Sequence, residues 1–211
     1  MPLAQRVVDA AVRLGVALTE YDALRLVKLL DELERWNRTY NLTAINKEEM
    51  VTHHLLDSLA VDVDLQGSAI ADVGTGAGFP GLPLAVVNPD RHFTLIDSNG
   101  KKVRFVSHAA RVLGLGNVDA LQSRVESSRP ARPFDTVIAR AFAALPELLM
   151  KVAPLCGPQT QVLAMKGKWP QAELEALPSG WRMSASRRIE VPGLDEARCV
   201  IKLQMETAPS A

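Results

Sequence analysis

Three stretches place chemically capable residues at the ends of apolar runs. Asp72-Val-Gly-Thr-Gly-Ala-Gly-Phe-Pro-Gly81 sets Gly74, Gly76, Gly78 and Gly81 within eight residues, after the apolar Ala69-Ile-Ala. So many glycines would weaken a strand or helix interior, and without a Cβ they let a ligand approach the backbone. Asp97 follows Phe93-Thr-Leu-Ile96 and lies nineteen residues after Gly78. That is close to the ~20 expected of a carboxylate that accepts hydrogen bonds from ribose hydroxyls. Capping a helix is the other role open to it, since Ser98-Asn-Gly100 follows. Arg140 follows Thr136-Val-Ile-Ala139, so a strand brings a fixed cation to the same edge. Its alternative is a structural ion pair with a carboxylate such as Asp72 or Glu126.

These positions require a frame of alternating strands and helices. Strands are predicted at Ala69–Val73, His92–Asp97, Val118–Gln122, Phe134–Ala139 and Gln161–Met165. Helices are predicted at Gly81–Val87, Lys101–Leu113, Pro146–Leu155 and Pro170–Leu177, with a turn near Val125. Short apolar strands separated by helices signal a parallel sheet covered on both faces. Arg182–Val191 and Arg198–Met205 read as a closing hairpin joined by Pro192-Gly-Leu-Asp-Glu196. Residues 1–65 read as a helical region packed on a core of residues 66–211. Within it, Leu18–Tyr40 carries a helical apolar stripe with Thr19 as N-cap, and Lys47 to Val63 reads as one further helix.

The totals narrow the function classes. A chain of 211 residues fits one α/β domain with an extension. Its formal net charge is zero, so a polyanionic partner must be met by a local patch. Cys156 and Cys199 match no metal or redox spacing, and His53-His54 has no second ligand nearby, so no metal is expected. With no leader-like start and no membrane-length apolar run, the expectation is a cytoplasmic protein, acting as a monomer. The glycine spacing is D-x-G-x-G-x-G, not the G-x-G-x-x-G of dinucleotide binders, and Phe79-Pro80 stands where a phosphate cradle would open. No G-x-x-x-x-G-K-[ST] is present.

That loop, an acid ending the second strand and the closing hairpin resemble the class I S-adenosylmethionine-dependent methyltransferases over about residues 66–205. The implied fold is α/β and Rossmann-like: a doubly wound, mostly parallel sheet with a C-terminal antiparallel hairpin and an N-terminal helical extension. Further stretches resemble one family within that group, the glucose-inhibited division protein B family of guanine-N7 methyltransferases of 16S ribosomal RNA. They are Trp36-Asn, Tyr40-Asn-Leu-Thr-Ala-Ile45, His54-Leu-Leu-Asp-Ser-Leu59, the glycine loop, Leu95-Ile-Asp-Ser-Asn-Gly-Lys-Lys102, Gln122-Ser-Arg-Val-Glu126, Ala139-Arg-Ala141 and Met165-Lys-Gly167. The resemblance assigns contacts with S-adenosylmethionine to Gly74 and Phe79, to Val125 and Glu126 beside the adenine, and to Arg140. Asp72, Gly76 and Gly78 join them from the loop, and Asp97 from the ribose argument. Core packing is the alternative for Val125, and a solvated helix start for Glu126.

Guanine N7 has a free lone pair and no proton to remove, so positioning matters more than a general base. The chain lacks the Asn/Asp-Pro-Pro-aromatic motif of exocyclic-amine methylation and offers no well-placed thiolate. Arg140 is therefore the candidate catalytic residue, able to bridge cofactor and RNA or to hydrogen-bond guanine O6 and N7. Removing it is expected to abolish transfer and leave the fold intact. Lys101, Lys102, Arg124, Lys166 and Lys168 are candidate contacts to RNA phosphates, with Arg35, Arg38 and Lys47 extending the patch. Two other readings are a non-catalytic rRNA-binding factor retaining the pocket and a methyltransferase with a small-molecule acceptor.

Overall fold

The computed structural model describes residues 1–206, so the last five residues of the expected 66–211 core lie outside it. Helices α1 (Leu3–Arg13) and α2 (Glu20–Tyr40) lead the chain. Thr19 caps α2 by accepting from the Asp22 N–H, and Asn41 ends it with φ 49°, a left-handed conformation that asparagine tolerates. The stretch expected as one regular helix from Lys47 is different. It forms a π-helical turn at Val51–Leu56, then α3 (Asp57–Leu59) and a 3₁₀ turn at Asp62–Asp64. The wider π turn re-aims the His53 carbonyl, His54 and Asp57, a use to which such turns are often put.

Strand β1 (Ala69–Val73), α4 (Gly81–Val87), β2 (His92–Asp97), α5 (Gly100–Val112) and β3 (Val118–Gln122) follow, then β4 (Thr136–Arg140), α6 (Leu145–Val152), β5 (Gln161–Lys166) and α7 (Gln171–Glu175). The chain closes with β6 (Trp181–Ile189) and β7 (Arg198–Met205). Strand β4 begins two residues later than the sequence suggests. The reason is Asp135, whose carboxylate accepts from the Ser68 and Ala69 N–H groups (2.8 and 2.9 Å) and ties the start of β1. Pro154 lies in a 3₁₀ turn, Ala153–Leu155, that cuts α6 short of the expected Leu155.

The seven strands are ordered β3-β2-β1-β4-β5-β7-β6. Strands β1 to β5 are parallel, while β7 runs antiparallel to β5 and to β6. The chain runs outward from β1 to β3, then returns to β4 on the other side of β1. This reversal opens a crevice at the carboxyl ends of β1 and β4, where ligands bind in such sheets. Alternate side chains fill two layers. Ile70, Ile138 and Leu163 pack with α1, α2, α4 and α5 in a cluster running from Ala4 to Val200. Val73, Val137 and Val162 pack against α6 on the opposite face. The first cluster crosses the position expected to divide the chain at residue 65, so the helical region shares one core with the sheet.

Candidate functional site

The glycine loop is pinned to the end of β2. The N–H groups of Gly74 and Thr75 both donate to the Ile96 carbonyl, at 2.8 and 3.1 Å. The Gly76 N–H donates to Asp97 Oδ2 at 2.9 Å. Asp97 Oδ1 accepts from the Asn99 N–H at 2.8 Å, and Asn99, not Asp97, caps α5 through the Lys101 N–H. The four glycines divide by role. A Cβ on Gly74 (φ 66°) would lie 2.3 Å from the Phe142 ring, whereas one on Gly76 would meet nothing closer than Lys102 Nζ at 3.9 Å. Gly76 therefore leaves real space for a ligand. Gly78 and Gly81 do not, because a Cβ would strike Leu82 at 2.3 Å in the first case and Asp72 and Leu95 at 2.8 Å in the second.

Asp72 also has a different place from the expected one. It is 1% exposed, and its Oδ2 accepts from the Thr75 hydroxyl (2.6 Å) and the Gly81 N–H (2.8 Å). It straps the loop from below and lines neither cleft. Burial pushes its carboxyl up to about 6, against those two hydrogen bonds.

Two adjoining clefts open at the carboxyl edge and share Gly74, Lys102 and Ala141. The smaller, about 280 Å³, is lined by Asp97, Arg124, Val125, Glu126 and Phe142. The larger, about 560 Å³, has Phe79, Arg140 and Lys166 on one side and the helical region's Thr43, His54 and Asp57 on the other. Ala141, between the two, has φ 50°, a conformation costing about 1 kcal/mol or more for a residue with a Cβ. Among the residues expected to act, Asp72, Gly78, Lys101 and Lys168 line neither cleft.

Arg140 pairs with neither Asp72 nor Glu126. Its Nη1 donates to Asp57 Oδ2 (3.0 Å) and to the His53 carbonyl (2.8 Å). Arg198 Nε approaches the other Asp57 oxygen at 3.3 Å, and the Asp57 side chain is only 5% exposed. The sequence reading gave no role to Asp57 or Arg198. Asp57 does lie inside the quoted His54–Leu59 stretch, which was the available signal; Arg198 had none, because only the β7 register brings it to the cleft.

Thr43 explains the Trp36-Asn and Asn-Leu-Thr-Ala-Ile stretches. The Asn37 side chain holds both its backbone N–H and its carbonyl, at 2.9 and 3.0 Å, and its hydroxyl meets His54 Nε2 at 2.9 Å. His54 stacks on Phe79 with ring centroids 4.5 Å apart. Burial, then the charges of Arg140 and His53, push His54 down to about 3, so the ring is neutral at physiological pH.

The candidate RNA-contacting cations differ in their surroundings. Lys102 and Arg124 face the clefts, while Lys166 is held by the Ala143 carbonyl (3.0 Å) and Glu173 (2.8 Å). Arg35 pairs with Glu32, and Arg38 and Lys47 both pair with Glu34, all on the outer surface of the helical region. Burial pushes Cys156 up to about 12 and raises Cys199, which leaves neither as a thiolate. Among the described residues no group of three or more His, Cys, Asp or Glu could hold a metal ion, and no helix is long and apolar enough to cross a membrane.

The fold is similar to that of an S-adenosylmethionine-dependent methyltransferase from Aquifex aeolicus. That match has TM-score 0.54 and 20% identity, covering 74% of this chain and 93% of the other. A methyltransferase from Thiobacillus denitrificans, solved with S-adenosyl-L-homocysteine, aligns at TM-score 0.52 and 12% identity, over 82% of this chain and 98% of the other. In sequence the chain is 46% identical to the ribosomal RNA small subunit methyltransferase G of Nitrosococcus oceani, over 92% of both chains. It is 48% identical to that of Alkalilimnicola ehrlichii, over 86% of this chain and 83% of the other. The GidB family model, described as rRNA small subunit methyltransferase G, matches residues 23–201, and the chain belongs to that family.

Proposed function

We propose that the chain transfers a methyl group from S-adenosylmethionine to N7 of a guanine in 16S ribosomal RNA, as one copy acting in the cytoplasm without a metal. The observation that carries this reading is the two-part cleft at the strand-order reversal, with Asp97 in one part and Arg140 in the other. The residues fit the cofactor. Asp97 keeps lone pairs for ribose hydroxyls, Val125 and Glu126 offer an apolar and a polar wall for a purine, and the open side of Gly76 admits a ligand against the backbone. When bound, S-adenosylmethionine supplies an electrophilic methyl on its sulfonium.

The protein's part is to bind, orient and exclude water. Residues 1–65 supply one wall of the larger cleft through Thr43, His54 and Asp57, and the sheet supplies the other. Arg140 is fixed through Nη1, while its other N–H groups have no partner among the described residues and can donate to the guanine edge or to a carboxylate. Of the groups lining the larger cleft that could accept a proton, His53 holds its Nδ1 against the Glu49 carbonyl at 3.2 Å, and the other two are poor acceptors. Asp57 is engaged by two arginines, and His54, at about 3, is a very weak base. This suits a nucleophile with its own lone pair, for which good orientation is worth about 7–11 kcal/mol. Lys102 and Arg124 supply cations for RNA phosphates.

The test is transfer of a labelled methyl group from S-adenosylmethionine to small ribosomal subunits from cells lacking the gene. Label is expected in 16S rRNA; unlabelled RNA under conditions that saturate the cofactor site would refute the proposal.

A further inference from the structure

A separate hollow of about 280 Å³ lies beyond the larger cleft and shares Gly167 and Arg198 with it. Its walls include Trp169, Arg188 and Ser186. Trp169 is 49% exposed, although the chain has only three tryptophans. Its Nε1 donates to Gln171 Oε1 at 2.9 Å, which holds the indole at the mouth of the hollow. Arg188 stands on β6 beside Cys199 of β7; it is exposed, and its side chain has no ion pair or hydrogen bond among the described residues. Lys168, the residue before Trp169, is also exposed, and its side chain is unpaired among them. The carboxylate of Glu196, the residue before Ala197 of the hollow's lining, is bound to Arg198 Nη2 at 2.7 Å.

A scattered exposed tryptophan needs no explanation. This one differs in lying against a hollow, beside two uncommitted cations, on a surface continuous with the site already described. An aromatic platform with free cations is what unpaired nucleotides bind, the bases by stacking and the backbone by charge. A guanosine held in the larger cleft must be unstacked from its neighbours, and Gly167 and Arg198 are where that cleft meets the hollow.

We propose that this hollow is a second nucleotide subsite. It takes the base of an unpaired nucleotide flanking the methylated guanosine against Trp169, with the adjoining phosphate at Arg188 and Lys168. The proposal rests on the reading of the larger cleft as the site for the target guanosine. It adds a determinant of which RNA is accepted, outside the cofactor site.

The test uses the full chain, Trp169→Ala, Trp169→Phe and Arg188→Gln, with small ribosomal subunits as substrate and S-adenosylmethionine affinity measured separately by calorimetry. Loss of one stacked base is expected to raise the KM for RNA about tenfold in Trp169→Ala, with Trp169→Phe recovering part of it. In both variants kcat and cofactor affinity stay at the wild-type values. Arg188→Gln is expected to weaken RNA binding and reduce the salt slope by about one. A wild-type KM in Trp169→Ala would overturn the subsite, and so would a loss of cofactor affinity, which would mark the tryptophan as structural. If the wild-type protein binds S-adenosylmethionine but transfers no methyl to RNA, the reading of the larger cleft fails and the subsite with it.

Discussion

Removing Arg140 perturbs two things that can be measured apart. Its Nη1 makes two hydrogen bonds, to a carboxylate at 3.0 Å and to a backbone carbonyl at 2.8 Å, from a side chain that is 22% exposed. Stripping one partner from a buried ion pair costs roughly 3–5 kcal/mol, because the remaining charge is left without compensation. Here Arg198 still faces the second Asp57 oxygen at 3.3 Å, so Arg140→Ala should fall at the lower end, about 3 kcal/mol. For a domain of this size each kcal/mol moves Tm by roughly 2–4 °C, giving a drop of roughly 6–12 °C in a calorimetric scan. The expectation of an unaltered fold is therefore revised: the variant should fold with reduced stability and lack methyl transfer. Adding Asp57→Ala should cost much less than its single-variant value, since the orphaned charge goes with it. An Arg140→Ala protein with wild-type Tm, or strictly additive losses in the double variant, would refute the ion-pair argument. Wild-type turnover of rRNA by Arg140→Ala would refute its functional role.

Gly74→Ala places a Cβ at φ 66° and 2.3 Å from the Phe142 ring. It should cost about 1–3 kcal/mol in urea unfolding and weaken cofactor binding as the ring is displaced. Asp97→Ala removes a ribose acceptor and also leaves the Gly76 N–H without its partner at 2.9 Å, so calorimetry should show S-adenosylmethionine affinity falling at least tenfold. Asp72 gives a pH signature. Its folded pKa of about 6 lies above the ordinary 3.8, so the stability it contributes is fully present below about pH 3.8 and is lost as pH rises through about 6. The shift corresponds to about 3 kcal/mol, so Asp72→Asn should gain stability relative to wild type by up to that amount between pH 4 and 7. A pH-independent difference between the two proteins would contradict this account.

Much of the frame was legible because strands β1, β2 and β3 and helix α4 carry their boundaries in local apolar runs and turn residues. Thr19 announced its cap for the same reason. The misses come from interactions between residues distant in sequence. The π turn at Val51–Leu56 is paired with Arg140, eighty-seven residues from His53. Asp57 is recognisable as a site residue only once Arg140 and Arg198 converge on it. The glycine pattern reported a backbone constraint correctly but could not separate open space at Gly76 from tight packing at Gly78 and Gly81. Similarly, Asp72 occupies the expected motif position but faces inward to its own loop, because Thr75 and Gly81 return to the same carboxylate oxygen.

Guanine N7, the proposed methyl acceptor, carries its own lone pair and needs no proton acceptor. The most direct measurement is the position of the methyl group the protein adds to 16S rRNA, found by borohydride reduction and aniline cleavage, which break RNA at N7-methylguanosine. One new cleavage position is expected in rRNA treated with the protein and S-adenosylmethionine, and none without the protein. Methyl groups found instead on an exocyclic amine or on pyrimidine carbon 5 would contradict the N7 assignment, and carbon-5 transfer would in addition need a thiolate that neither cysteine provides.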